Sequence, residues 1–513
     1  MGNMKVAALS VSAVVLVAVV ATVAVTMSNL ESEPAKTQFS SSQKNIKDFC
    51  NPTDYQETCE STLSAAAGNS TDPKELVNLA FQMTIDQIKE AFNHSTVLSE
   101  AAKNPRTSDA LENCRELLDY AIDDLRSSID RLEGFSLLKL DKFLDDLKVW
   151  ISASITYQET CLDGFENTTT NAAESMRKAL NSSAEMTSNI LAIVINLDNT
   201  LDSLNLGISR KLLAEEYPLW VSLGKRRLLR LSPAELKPNV TVAQDGTGDV
   251  KTINDALLRV PKKRNDTFVI YIKEGVYKEK VQVNRSLTNV IMVGDGTNKT
   301  KITGSLNYID GTATFKTATV GHALRPYKRQ FYRECRHLRH HRLHLWRRRG
   351  GVTELPNPGE EADGQPAEHR DGAGRKDRRQ ATAIILHNCT ISADPAFFPF
   401  REKLPTFLGR PWKEFSRTFV LQSQLDDLID PKGWLPWFEN FGLNTCFYTE
   451  LDNRGPGANT SQRVKWKGVK TIGYAHAQKF TVEHFIQGNA WLPKTGVPYI
   501  PGLLPMSEAG RIH

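Results

Sequence analysis

The chain has 513 residues, 40% of them hydrophobic and 24% charged, enough for two or more domains with real cores. Its net charge of +5 is small for that length, and much of the basic excess sits in one internal stretch. A chain-wide basic surface of the kind that binds nucleic acid is therefore not implied.

Residues 1–44 form a targeting segment and stalk. Lys5 precedes an uncharged apolar run, Val6 to Thr26, about long enough to cross a bilayer. It reads either as a cleaved signal peptide or as a signal anchor, and this run supplies the chain's one expected membrane contact. Both readings deliver the remainder to the secretory pathway. Asn-x-Ser/Thr triplets headed by Asn69, Asn93, Asn167, Asn181 and others through Asn459 agree with that compartment.

Residues 45–204 read as an all-helical bundle. From Asp72 and again from Ser108, apolar residues recur at three- and four-residue spacing, and Asp72-Pro73 and Ser108 make good helix starts. Several such helices with short polar links suggest antiparallel packing. Cys50 and Cys59 flank Asn51-Pro52-Thr53-Asp54, while Cys114 and Cys161 lie on separate helices. In an oxidising lumen the four read as two disulfides, with three pairings open. No CxxC or neighbouring His supports a metal site. The segments FCNPTDYQETC (Phe49 to Cys59) and TYQETCLDGF (Thr156 to Phe165) resemble the plant invertase and pectinesterase inhibitor domain. That resemblance implies a four-helix bundle with an N-terminal helical hairpin, and the pairings Cys50–Cys59 and Cys114–Cys161.

A linker spans 205–237. Arg210-Lys211-Leu212-Leu213 and Lys225-Arg226-Arg227-Leu228-Leu229 are basic-leucine motifs; such a run between domains of a secreted chain suggests proteolytic processing at Arg210, Lys211, Arg226 and Arg227, with an ordinary solvated linker as the alternative.

From residue 238 to 513 the hydrophobic period becomes two. Phe268 to Val283 and Asn289 to Gly304 are short apolar-polar alternations punctuated by Gly and Asn, with no helices between them. Stacked strands of this kind suit a parallel β-helix, with a β-sandwich as the structural alternative. The motifs VAQDGTGDVKTINDAL (from Val242), YIKEGVYKE (from Tyr271), TFLGRPWKEFSRT (from Thr406), GWLPW (from Gly433) and FIQGNAWLP (from Phe485) resemble plant pectinesterases. The resemblance implies a multidomain chain: an all-α four-helix bundle, then an all-β right-handed parallel β-helix that is incomplete in the middle. It also implies hydrolysis of galacturonate methyl esters in pectin, without metal or organic cofactor. In that family an ionised Asp attacks the ester, a second Asp shuttles the proton, and a Gln amide holds the oxyanion. An Arg steadies the nucleophile and aromatic faces meet the sugars. Arg410, Trp412 and Thr314 match the family's arginine, its sugar-stacking tryptophan and a substrate-contacting threonine. An intramolecular or intermolecular contact between inhibitor-like and esterase parts is also implied.

The two aspartates and the glutamine have no counterparts, because residues 321–374 break the pattern. After Val320 the chain passes through GHALRPYKR to RQFYREC, the family segment just before the nucleophile. There follow RHLRHHRLHLWRRR (Arg336 to Arg349) and a Gly-, Pro- and acid-rich run to Gly374. The family segment expected there approximates VISGTIDFIFGDAA. Written in plausible codons and read with one extra leading C, it becomes RHLRHHRLHLWRRR. The later PNPGEEADGQPAEHRDGAG re-reads likewise as a family-like QILVRKPMDNQQNIVTAQG, and the frame returns near Gly374. A frameshift combined with a missing piece therefore explains the block better than a metal site at His337, His340, His341 and His344 or a basic binding strip. Poor order across 321–374 and a chain without activity are the expected consequences. Cys335, Cys389 and Cys446 are left without an assigned pairing.

Overall fold

The computed structural model describes residues 41–203, apart from 69, 71, 94–103, 134–139 and 166–170, and then parts of 238–505. In the second stretch, 262–266, 285–286, 288, 297–298, 305, 307–315, 317–318, 323–367, 370–373, 394–397, 403–404 and 496–498 are left out. The chain divides into two compact units. Lys376–Thr382 belongs with the helices of the first, although sequence alone places it in the β-helix domain.

Among the described residues six helices build the first unit: α1 (Ser41–Cys50), α2 (Gln56–Ala66), α3 (Pro73–Phe92), α4 (Pro105–Glu133), α5 (Leu140–Asp163) and α6 (Ala172–Ser203). Helix α3 packs on α4, α4 on α5, α5 on α6 and α6 back on α3, closing a four-helix ring. The hairpin of α1 and α2 covers α3 and α6. The apolar stripes read from the sequence face inward: Phe81, Ile85 and Ile88 from α3, Leu117, Leu118 and Leu125 from α4, and Leu147 and Ile151 from α5 are buried. A polar layer crosses this core, where the Gln158 amide donates to Thr187 Oγ1 at 2.9 Å and Ser183 donates to Gln158 Oε1 at 2.8 Å. Disulfides join Cys50 to Cys59 and Cys114 to Cys161. The first closes the α1–α2 corner and the second staples α4 to α5.

The second unit is built from parallel ladders. Strands β1 (Val240–Val242), β2 (Phe268–Ile272), β3 (Gly275–Lys278), β4 (Val281–Val283), β5 (Val290–Gly294), β6 (Thr300–Thr303) and β7 (Val320–His322) form its first half. Pairings β2–β5, β3–β6 and β4–β7 are all parallel and all three strands apart, so each coil lays one strand on each of three faces. Such stacking is a parallel β-helix, and the sandwich alternative fails because no antiparallel pairing is found among the described residues. One helix, α7 (Ile253–Leu258), covers the start of the stack; Thr252 caps it by accepting from the Asp255 N–H at 3.1 Å.

The second half comprises β8 (Glu368–His369), β9 (Ile384–His387), β10 (Thr390–Ile391), β11 (Thr406–Phe407), β12 (Arg417–Leu421), β13 (Gln424–Leu425) and β14 (Phe447–Leu451). Strands β9, β12 and β14 make one parallel face, β10 and β13 a second, and β8 and β11 a third. The expected disorder of 321–374 does not hold at its edges. Gly321 and His322 extend the ladder onto β4, and Glu368 and His369 pair with β11. Residues 323–367, with the Arg/His block, lie outside the described residues.

Candidate functional site

Arg410 follows β11 at the point where two coils are stitched together. Leu408 donates its N–H to Gly433 O at 2.8 Å, and the Leu435 N–H donates to Gly409 O at 3.1 Å. This parallel bridge between Gly409 and Trp434 brings the LGRPW and GWLPW motifs side by side. Trp434 is completely buried and stacks on Tyr448 with ring centroids 4.4 Å apart, which anchors the second motif.

Trp437, at the end of that motif, is the principal neighbour of Arg410. The guanidinium Nη2 donates to the Trp437 carbonyl, and the guanidinium carbon lies 4.4 Å from the Trp437 ring centroid. Burial pushes Arg410 below its ordinary basicity, with Tyr448 acting in the opposite sense. Its Nε is buried and has no hydrogen-bond acceptor among the described residues. Arg410 is thus held in place by Trp437 while keeping one inward donor unused.

Trp412 sits differently. It is only 8% exposed, and the Lys413 ammonium lies 4.9 Å from its ring centroid. Phe438 and Phe441, just beyond Trp437 in the chain, stack on each other with centroids 5.6 Å apart, and Phe438 is exposed. The structure therefore brings Arg410 together with Trp437, a residue that sequence reasoning quoted in a motif but did not single out. The signal was the GWLPW motif, which says nothing of the partner 27 positions earlier.

Thr314, Cys335, the His337–His344 cluster and the processing positions Arg210, Lys211, Arg226 and Arg227 lie outside the described residues, as does the Val6–Thr26 run. Among the described residues no group of His, Cys, Asp and Glu is arranged to hold a metal, and no helix is long and apolar enough to cross a membrane. Among the described residues Cys389 and Cys446 form no disulfide, and burial pushes the Cys446 thiol up to about 12, so it is a poor nucleophile.

Comparison with known proteins follows the same division of the chain. The family model described as plant invertase/pectin methylesterase inhibitor matches residues 44–193. The pectinesterase family model matches 239–327 and 365–489. A pectinesterase/pectinesterase inhibitor of Arabidopsis thaliana, number 28 of its series, is 40% identical over 550 positions, covering 96% of this chain and 74% of the relative. Number 21 of the same series is 39% identical over 560 positions, covering 98% and 83%. Among solved structures, the pectin methylesterase from carrot is 34% identical, with a TM-score of 0.43, over 52% of this chain and 99% of that one.

Proposed function

The chain belongs to the plant pectinesterases that carry an N-terminal pectinesterase inhibitor domain, and we propose that it is a member whose substrate side survives without its catalytic groups. The substrate class is methyl-esterified homogalacturonan, and the Val6–Thr26 run supports delivery through the secretory pathway to the cell wall, with membrane attachment limited to that run. In the family reaction an ionised aspartate attacks the ester carbonyl and methanol leaves with a proton from a second aspartate. Water then cleaves the acyl-enzyme with that second group as base, and a glutamine amide stabilises both tetrahedral oxyanions.

One observation carries the reading. Arg410 is fixed against Trp437, yet its Nε is buried with no acceptor among the described residues. A desolvated guanidinium N–H is costly to leave unmet, and a carboxylate is the acceptor that best suits it. The nucleophilic aspartate of the family reaction is such a carboxylate. The segment in which the resemblance places it reads Arg336 to Arg349, inside the 328–364 gap between the two parts of the pectinesterase match. An alignment of 550 positions to a 513-residue chain also requires gaps on this chain's side.

Methanol release from methyl-esterified pectin by the purified chain tests the proposal. No release above background is expected from the chain as written. Release is expected once VISGTIDFIFGDAA and the missing central coil are restored. Hydrolysis by the unrepaired chain would overturn the reading. Sequencing the transcript across codons 315 to 380 separates an error in the gene model from a real frameshift.

A second, non-catalytic reading rests on the first unit, whose closed helical ring and both disulfides are intact. Such a bundle is able to act as an inhibitor-type protein on another pectinesterase. Titrating the chain into an active plant pectinesterase should then lower methanol release in proportion to the chain added.

A further inference from the structure

The turn Lys376–Thr382 is the one stretch of the second half that groups with the helical bundle. It is first folded on itself. Gln380 Oε1 accepts from the backbone N–H groups of Lys376 at 2.6 Å and Asp377 at 2.9 Å, and the Arg379 N–H donates to Asp377 Oδ1 at 2.7 Å. This self-bonding fixes the backbone, so the turn presents its side chains as a set.

Four of those side chains, Asp377, Arg378, Arg379 and Gln380, meet a matching group on the bundle. Gln380 is 1% exposed, and its amide donates to Ser152 O and Thr156 Oγ1 on α5, both at 2.9 Å. All four hydrogen-bonding positions of this amide are therefore used. The Ala381 N–H donates to Ser152 Oγ at 3.2 Å, and the Ser188 hydroxyl on α6 donates to the Asp377 carboxylate. At the α1–α2 corner Asp54 receives both arms of the Arg379 guanidinium, at 2.5 and 2.8 Å, and one from Arg378 at 2.9 Å. The Arg379 hydrogen bond, with both guanidinium charges, holds the Asp54 carboxyl below its ordinary range. A two-armed contact of this kind requires the planar fork of arginine.

We propose that this corner of the bundle, made by Asp54, Ser152, Thr156 and Ser188, is a recognition surface for an Asp-Arg-Arg-Gln turn, with the chain's own Lys376–Thr382 as its resident ligand. The turn's named contacts to the bundle are hydrogen bonds and ion pairs, and Asp54 and Arg378 remain largely solvated. The turn is thus a polar latch that can lift while the bundle's apolar core stays closed. Its contacts are independent of the esterase chemistry.

Limited trypsin digestion of the full chain, mapped by mass spectrometry at the Arg378–Arg379 and Arg379–Gln380 bonds, tests the latch. Cleavage of this kind follows the population of the open form, so two charge-assisted contacts should protect by about tenfold or more relative to a free peptide of residues 374–383. Asp54→Ala and Gln380→Ala should each raise the rate toward that of the peptide, with helical circular dichroism unchanged. Asp54→Glu should restore part of the protection, which a merely structural role would not. Should Asp54→Ala disturb the bundle, Arg379→Lys keeps the tryptic site and the charge but loses the fork, and faster cleavage at position 379 is expected. Cleavage of the native chain as fast as the peptide, or protection in Gln380→Ala and Arg379→Lys as strong as in the native chain, overturns the proposal.

Discussion

Arg463 governs the loop that presents Trp437. Its side chain and that of Glu450 are nearly inaccessible, and the two share hydrogen bonds of 2.8 and 3.0 Å. The same guanidinium donates to the carbonyls of Pro431 and Gly457, at 3.0 and 2.6 Å, tying the loop to the coil beyond it. Gly433 makes room for this packing: it has φ +70°, and a Cβ there would lie 2.3 Å from Arg463 Cδ. Removing one partner of a buried pair strands the other, which costs about 3–5 kcal/mol. Arg463→Ala should therefore lower the stability of the β-helical unit by about that amount in urea unfolding followed by tryptophan fluorescence. Arg463→Lys should recover only part of the loss, because an ammonium cannot reach Glu450 and the carbonyls together. A cost below about 1 kcal/mol for Arg463→Ala would show the pair to be a surface-like one. At this scale the sequence was partly legible: LGRPW pointed to Arg410, but its setting on Trp437 depends on a ladder that joins one coil to the next.

The helices were the most legible elements, because three- and four-residue apolar spacing survives in α3, α4 and α5 as the buried faces described above. Strands of two residues, such as Thr390–Ile391, carry no detectable alternation and become strands only through the neighbouring coil. The turn at Lys376–Thr382 was illegible for a related reason, since Gln380 bonds residues more than 200 positions away. Covalent closure of the bundle allows a graded prediction. The Cys114–Cys161 bond closes a loop of sequence separation 47, and Cys50–Cys59 one of 9. In the chain-entropy model the longer loop is worth about 4 kcal/mol and the shorter about 2.5 kcal/mol. Cys114→Ser with Cys161→Ser should accordingly destabilise the helical unit more than Cys50→Ser with Cys59→Ser, as measured by far-ultraviolet circular dichroism in urea. Equal or reversed effects would place the stabilisation in local packing instead of loop closure.

Among the described residues of the β-helical unit, apolar burial falls into separate clusters. The first gathers Val240, Ile253, Ile270, Tyr277 and Val283, with Val320 packed against its edge. The others gather Leu408, Trp434 and Tyr448, and Phe419 with Leu421 and Ala477. Coils of a stacked fold are stabilised chiefly by their immediate neighbours, so the proposed loss of central coils cuts the coupling between the ends. The two ends are also unequally furnished. The second half has Trp434, Tyr448 and Phe419 fully buried in ring stacks, whereas the first relies on aliphatic residues with Phe268 and Tyr277. Buried aromatics carry the larger areas and add stacking contacts, so the first half should open at lower denaturant. Hydrogen exchange in graded urea can report the two ladders separately, through amides in Phe268–Ile272 and in Arg417–Leu421. The chain as written should give two midpoints, with the Phe268–Ile272 amides released first. Restoring the family segment in place of Arg336 to Gly374 should merge them, because a continuous stack couples each coil to the next. A single shared midpoint in the unrepaired chain would mean that the halves remain coupled without the central coils.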